Sequence, residues 1–192
     1  MTKPPYHHGD LKTAILDAAE KALADKSLGS ISIRELARQA GVSSGAPYHH
    51  FGDREGLVTA LCQRGFHRLE KRLEDARSDD GLVGMVKEYL SFAKDHAALY
   101  QLMFSPEVTA GDSKAKLHPF AAPVFEMLER QVGDESDNGS PQSPHFSAIS
   151  VWCFMHGVAS LSSGPTLEGR LGDQKLETFA YEAVKMLTNS KD

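Results

Sequence analysis

Residues 30–51 read SISIRELARQAGVSSGAPYHHF, Ser30 through Phe51, and the punctuation of this stretch organises the chain around it. Ser32 is placed to cap a helix by accepting from the Glu35 backbone N–H while the Glu35 carboxylate reaches back to the Ser32 N–H, a capping box. Ile33, Leu36, Ala37 and Ala40 then fall at i, i+3, i+4 and i+7 and make one apolar stripe, with Arg34, Arg38 and Gln39 facing away. Gly41 follows, able to take the left-handed conformation that closes a helix. Val42 is an isolated apolar residue placed to fill the angle of the turn. Either Ser43 or Ser44 can cap the next helix, and Pro47 favours Ser44, because that register keeps proline in the first turn, where a backbone donor would be unpaired anyway. Two short helices and a tight turn in this space are the footprint of a helix-turn-helix.

The second helix is oddly composed. Small residues, Ser44, Gly45 and Ala46, stand at its head, and Tyr48, His49, His50 and Phe51 follow. A core helix carries aliphatic residues at helical spacing; small residues instead let a helix N-terminus approach a surface, where its N–H groups suit a phosphate or a base edge. Gly52 or Asp53 ends this element and caps a long helix that starts at Arg54.

Arg34-Glu35-Leu36-Ala37, Ala40-Gly41-Val42-Ser43, Tyr48-His49-His50-Phe51 and Arg54-Glu55-Gly56-Leu57 together resemble the DNA-binding domain of the TetR (tetracycline repressor) family of bacterial transcription regulators. The resemblance runs without a gap over roughly residues 8–60. There are two departures: Arg54 stands where the family more often has lysine, and Pro47 sits inside the reading helix. The resemblance implies a DNA-binding domain over 8–67, with its helix-turn-helix at about 32–51, and a C-terminal effector-binding and dimerisation domain over 68–192. It implies DNA contacts from Ser32, Ser43, Ser44, Gly45, Ala46, Tyr48, His49 and Arg54. Tyr48, His49 and Arg54 would mainly grip phosphates, and Ala46 would lie near base edges.

Charge points less directly to nucleic acid. Through Gly56 there are seven basic residues (Lys3, Lys12, Lys21, Lys26, Arg34, Arg38, Arg54) and seven acidic ones (Asp10, Asp17, Glu20, Asp25, Glu35, Asp53, Glu55), and the whole chain of 192 residues carries −5. The reading end is neutral within an acidic protein, so affinity must come from local placement and from dimerisation. The 41% hydrophobic and 24% charged content is that of an ordinary globular protein. Cys62 and Cys153 have neither metal-like spacing nor a disulfide framework, and no apolar run approaches the ~20 residues of a membrane span. The expected setting is the cytoplasm, with no membrane contact.

Outward from the motif, residues 1–9 (MTKPPYHHG) read as an arm, since Pro4-Pro5 disfavours helix. An inert tail and an arm near the DNA backbone are both open. Asp10 is expected to cap a helix whose Leu11, Ile15, Ala18, Ala19, Ala22 and Leu23 form the wall behind the two reading helices. From Arg54, Leu57, Leu61, Phe66, Leu69 and Leu73 mark a long helix. Helices are also expected over Leu82–Lys94, His96–Phe104, about Pro119–Gln131, about His145–Ser162 and Asp173–Asn189. Breaks fall at Ser105-Pro106 and Gly111-Asp112, and the apolar-free GDESDNGSPQSP of Gly133–Pro144 reads as a flexible loop. Nothing alternates with strand period, so the fold is all-α.

His96 through Phe104 (HAALYQLMF) and the trio Trp152, His156 and Gly157 resemble the C-terminal domain of a TetR subgroup named for its Trp-His-Gly signature. That likeness implies a helical body that binds an unidentified small-molecule effector and pairs its last two helices with a symmetry mate, giving a C2 homodimer. Trp152, Met155, His156 and Ala159 share one helical face. Core packing, with His156 hydrogen-bonded to a neighbour, is the simpler reading; the other places Trp152 and His156 in an effector pocket with Tyr100, Met103, Phe104 and Phe120. His96, His118, His145 and His156 contain no i, i+4 pair, so no metal is expected, and no cofactor.

The function expected is that of a ligand-responsive repressor of a palindromic operator in double-stranded DNA. A regulator whose C-terminal domain only dimerises or binds a protein is the alternative. The chain shows no nucleophile elbow, phosphate-cradling glycine loop, HExxH or paired carboxylates, which argues against an enzyme.

Overall fold

The computed structural model describes residues 8–25, 32–135, 143–162 and 165–188. Ten helices occur among them: α1 (His8–Asp25), α2 (Ile33–Gln39), α3 (Ala46–Phe51), α4 (Arg54–Asp95), α5 (Ala97–Met103), α6 (Pro106–Thr109), α7 (Gly111–Glu135), α8 (Pro144–Leu161), α9 (Pro165–Leu171) and α10 (Leu176–Thr188). No strand is present among the described residues, so the all-α reading holds. The chain forms two compact units. One joins the described residues through Gly65 to Ala98–His118; the other joins Phe66–Ala97 to the described residues from Pro119 onward.

In the first unit, α1 turns Ile15, Leu16, Ala19 and Leu23 inward, as its apolar spacing requires, and Leu36 and Ala37 of α2 are buried with them. The helix begins at His8, so Asp10 lies inside it rather than capping it; residues 1–7 of the expected arm lie outside the described residues. Arg64 ties α4 back to α1 through the Leu16 carbonyl at 2.9 Å and the carboxylates of Asp17 and Glu20.

Helix α4 changes direction at Asp80 and Gly81, where φ and ψ leave the helical region. Gly81 sits at φ +57°, and a Cβ there would meet Glu135 Oε1 at 2.7 Å. That same carboxylate accepts from the Leu82 N–H at 2.8 Å, so Glu135 supplies from α7 the cap that the restarting helix lacks locally. In this second unit Arg72 bridges the two arms of α4, bonding Glu88 and reaching Asp95 at 3.3 Å, with its guanidinium 5.8 Å from the Phe92 ring centre. Helices α8 and α10 pack together, and Val151, Met155, Val158, Ala180 and Val184 along them are buried.

Further along the chain several elements differ from the sequence reading. Gly111-Asp112 opens a helix instead of breaking one, and α7 runs through Pro119 and Pro123 to Glu135. Leu117, Met127 and Val132 are buried along α7, which works against the roughly 3 kcal/mol that each of its two interior prolines costs. The expected loop over 133–144 therefore begins in helix; residues 136–142 lie outside the described residues, and Ser143 closes the stretch by capping α8, its Oγ accepting from the Phe146 N–H at 3.2 Å. Helix α9 went unforeseen, because PTLEGRL offers too few apolar positions to show a period.

Candidate nucleic-acid interface

Helix α2 ends in a Schellman motif. Gly41 takes φ +67°, its N–H donates to the Arg38 carbonyl at 3.1 Å, and the Val42 N–H donates to the Ala37 carbonyl at 2.9 Å. This closure sets the angle at which the chain leaves α2 and enters α3. At the other end of α2 the expected capping box does not form. Ser32 is the N-cap residue, in extended conformation, but its side chain makes no cap bond, while the Glu35 carboxylate is held by Arg38 Nη2 at 2.6 Å, Arg38 Nε at 2.9 Å and Gln39 Nε2 at 3.0 Å. A bidentate guanidinium is a stronger partner than a neutral backbone N–H, and it lies one turn ahead of Glu35 on the same face.

The head of α3 also departs from expectation. Neither Ser43 nor Ser44 caps it: Gly45 is the N-cap residue, which places Ala46 and Pro47 in the first turn. The Ala46 N–H already donates to the Ser43 carbonyl at 3.0 Å, and Pro47 has no N–H. The helix head therefore offers few backbone donors. Ala46 and Pro47 are buried, so the small residue assigned to base edges faces inward. Ser32, Ser43, Ser44, Gly45, Tyr48 and His49 are exposed, with Tyr48 at 46% of its accessible area, an unusual position for a large ring with no external partner.

Arg54 opens α4 just past this helix. Asp53 Oδ1 caps α4 by accepting from the Gly56 N–H at 2.8 Å, which fixes the first turn, and Arg54 Nη1 lies 3.5 Å from Glu107 Oε1 of α6. The adjacent Glu55 is bound by Lys116 of α7 at 2.9 Å. Sequence spacing held no signal for these pairs, whose members stand 53 and 61 positions apart. His50, not among the expected contacts, lines an open groove of about 540 Å³ with Lys12, Thr13, Gln63 and Arg64.

The expected effector residues fall in both units. Tyr100 and Met103 are buried in the first, where Tyr100 packs on the half-buried Phe104 with ring centres 5.0 Å apart. Met103 fits against Gly65 so closely that a Cβ there would lie 2.5 Å from its sulfur. In the second unit Phe120 is 37% and Trp152 41% exposed. Trp152 meets Phe125 edge-on with centres 6.0 Å apart, and His156, 6.3 Å from Trp152, shares a hydrogen bond of 3.2 Å with the Tyr89 hydroxyl. Burial pushes the His156 pKa below the usual histidine value. The face read as uniform is thus split: Met155 and Ala159 enter the core and Trp152 stands at its edge. No group of three or more potential metal ligands occurs among the described residues.

Residues 15–61 match the family model of bacterial regulatory proteins of the tetR family, and residues 82–187 match that of the tetracyclin repressor-like C-terminal domain. The chain belongs to the TetR family. This TetR-family regulator is 29% identical over 190 residues to the HTH-type transcriptional repressor KstR2 of Rhodococcus jostii, a match covering 96% of this chain and 85% of the relative. A solved protein of unknown function from Rhodococcus sp. RHA1 superposes with a TM-score of 0.81 at 28% identity, covering 97% of this chain and 98% of that one. FadR from Bacillus subtilis, solved in complex with stearoyl-CoA, shares the fold at a TM-score of 0.73 and 14% identity, over 94% of this chain and 99% of its own. No described helix of this TetR-family chain is long and apolar enough to cross a membrane.

Proposed function

We propose that this TetR-family chain is a cytoplasmic repressor, not an enzyme, that binds a palindromic operator as a C2 homodimer and is released by a small molecule. The observation that carries the DNA half is the exposed Tyr48–His49 face of α3, held by the Schellman closure of α2 and the Asp53 cap of α4. With few backbone donors at its head, α3 recognises DNA through the side chains of Tyr48 and His49, flanked by Ser43, Ser44 and Arg54. The domain division at 67/68 belongs to this reading, with the reader before it and the effector-binding, dimerising body after it.

Dimerisation through the last two helices is supported by the apolar side chains that α8 and α10 leave in solvent: Phe146 at 59%, Leu161 at 52% and Met186 at 80% exposure, with Ile149 and Leu187 beside them. Such a dimer sets two readers in successive major grooves, about 34 to 36 Å apart. The effector half rests on Trp152, His156 and Phe125, a partly open aromatic cluster with one polar ring. Tyr100 and Met103 are packed as core, which favours, for those two residues, the reading without a ligand role.

The experiment is operator binding with and without ligand. Labelled DNA flanking the chain's own gene is titrated with protein, and a thermal-shift panel that includes acyl-CoA thioesters selects compounds for the competition step. The expected result is tight binding to that DNA and its loss with a stabilising compound. Binding that no stabilising compound alters would leave a regulator without an effector.

A further inference from the structure

Both charges in the first turn of α4 meet opposite charges from later helices. Arg54 Nη1 faces Glu107 Oε1 at 3.5 Å, and the next residue, Glu55, is held by Lys116. Both outer partners come from the stretch that matches the C-terminal family model, yet they fold into the same compact unit as the reading helices. Two other arginines of this unit are paired in the same way, Arg38 with Glu35 and Arg64 with Asp17 and Glu20. Those partners are supplied by the reader's own helices, whereas Glu107 is supplied from outside them.

We propose that Glu107 masks the positive charge of Arg54 and so sets how strongly, and with what salt dependence, this chain grips the DNA backbone; the proposal rests on the operator-binding reading above. The mask is incomplete by construction. Only one terminal nitrogen of the guanidinium meets the carboxylate, and Arg54 Nη2 is buried without a hydrogen-bond partner. Both side chains remain half open to solvent, 42% for Arg54 and 54% for Glu107, so a phosphate can compete for the guanidinium. Glu107 also acts on the body of α4: after burial, its charge is the second influence that raises the Cys62 thiol, to about 12.

The residues through Gly56 carry equal numbers of basic and acidic side chains, so one cation masked or released there shifts that balance by a whole charge. Each phosphate neutralised by a protein cation releases counterions and steepens the salt dependence of binding by about one unit of log–log slope. Glu107 is therefore a positioning residue: it touches no DNA and acts through Arg54.

The test compares wild type, Glu107→Gln, Arg54→Ala and the double variant, with the promoter-flanking fragment and a random-sequence duplex as probes, across a salt titration. Glutamine keeps the shape and removes the charge at an exposed position. Glu107→Gln is expected to tighten binding to both duplexes by roughly two- to five-fold, the scale of an exposed ion pair. The slope of log K against log salt should steepen by about one. Adding Arg54→Ala should cancel both gains. An unchanged affinity and slope in Glu107→Gln overturns the proposal, and so does a gain that persists without Arg54, which would make Glu107 a general repulsive charge. Wild type that binds the random duplex but does not prefer the promoter fragment sinks operator recognition while the mask is still read on the random duplex. Wild type that binds neither sinks both.

Discussion

His156 shows how one side chain carries two signals. Its Nδ1 shares a hydrogen bond with the Tyr89 hydroxyl inside the second unit, and burial lowers its pKa. An unfolded chain takes up the proton near the ordinary value of about 6.5, whereas the folded chain resists it, so the stabilisation is complete above that pH and is lost as pH falls below it. The melting temperature should therefore drop between about pH 7.5 and 5.5, and drop less in His156→Gln, which cannot titrate. Equal pH dependence in the two proteins would remove His156 as the cause. At the same scale, the sequence foresaw Gly41 and narrowed the cap of α4 to Gly52 or Asp53, of which the Asp53 carboxylate, three residues before the Gly56 N–H, takes the role. It misplaced the Glu35 carboxylate, because two partners stood within one turn and only geometry chooses between them.

At the scale of the element, periodicity located most helices and failed where burial overrode local punctuation. Pro119 reads as a start because it lacks a donor, yet α7 passes through it, and PTLEGRL is too short to show a period. The break in α4 is a sharper case. Leu82 is legible as the start of a new apolar stripe, but the cap that makes the restart possible comes from Glu135, 53 residues downstream. Gly81 occupies φ +57° with ψ −138°, a region that side chains disfavour, and a Cβ would also press on the capping carboxylate. Gly81→Ala should therefore cost about 1 to 3 kcal/mol in urea unfolding. A neutral substitution would mean that the break relaxes into continuous helix.

Across the whole molecule the family, the helical fold and the helix-turn-helix were legible, because each rests on patterns within about twenty residues. Partner choices across the fold were not, and so the candidate site was legible in part. Tyr48 and His49 stand exposed on α3, whereas Ala46 faces inward and Tyr100 and Met103 belong to a core rather than an open cavity. The apolar surface that α8 and α10 present is expected to close in a dimer. Ile149→Glu on that face should shift the protein toward monomer in light scattering coupled to size exclusion, without loss of helical circular dichroism. A variant that remains fully dimeric would move the interface elsewhere.

The most direct test of the account is fluorescence anisotropy of wild type and Tyr48→Ala on the promoter-flanking duplex against a random duplex at fixed salt. Tyr48 is nearly half exposed and no buried side chain of the core, so its loss should leave folding and dimerisation intact. Wild type should prefer the promoter duplex by about a thousand-fold or more, and Tyr48→Ala, losing a hydrogen bond to a charged phosphate, should weaken that binding by roughly ten-fold while remaining a dimer. Promoter binding by Tyr48→Ala equal to that of wild type would contradict the assignment of α3 as the reading helix.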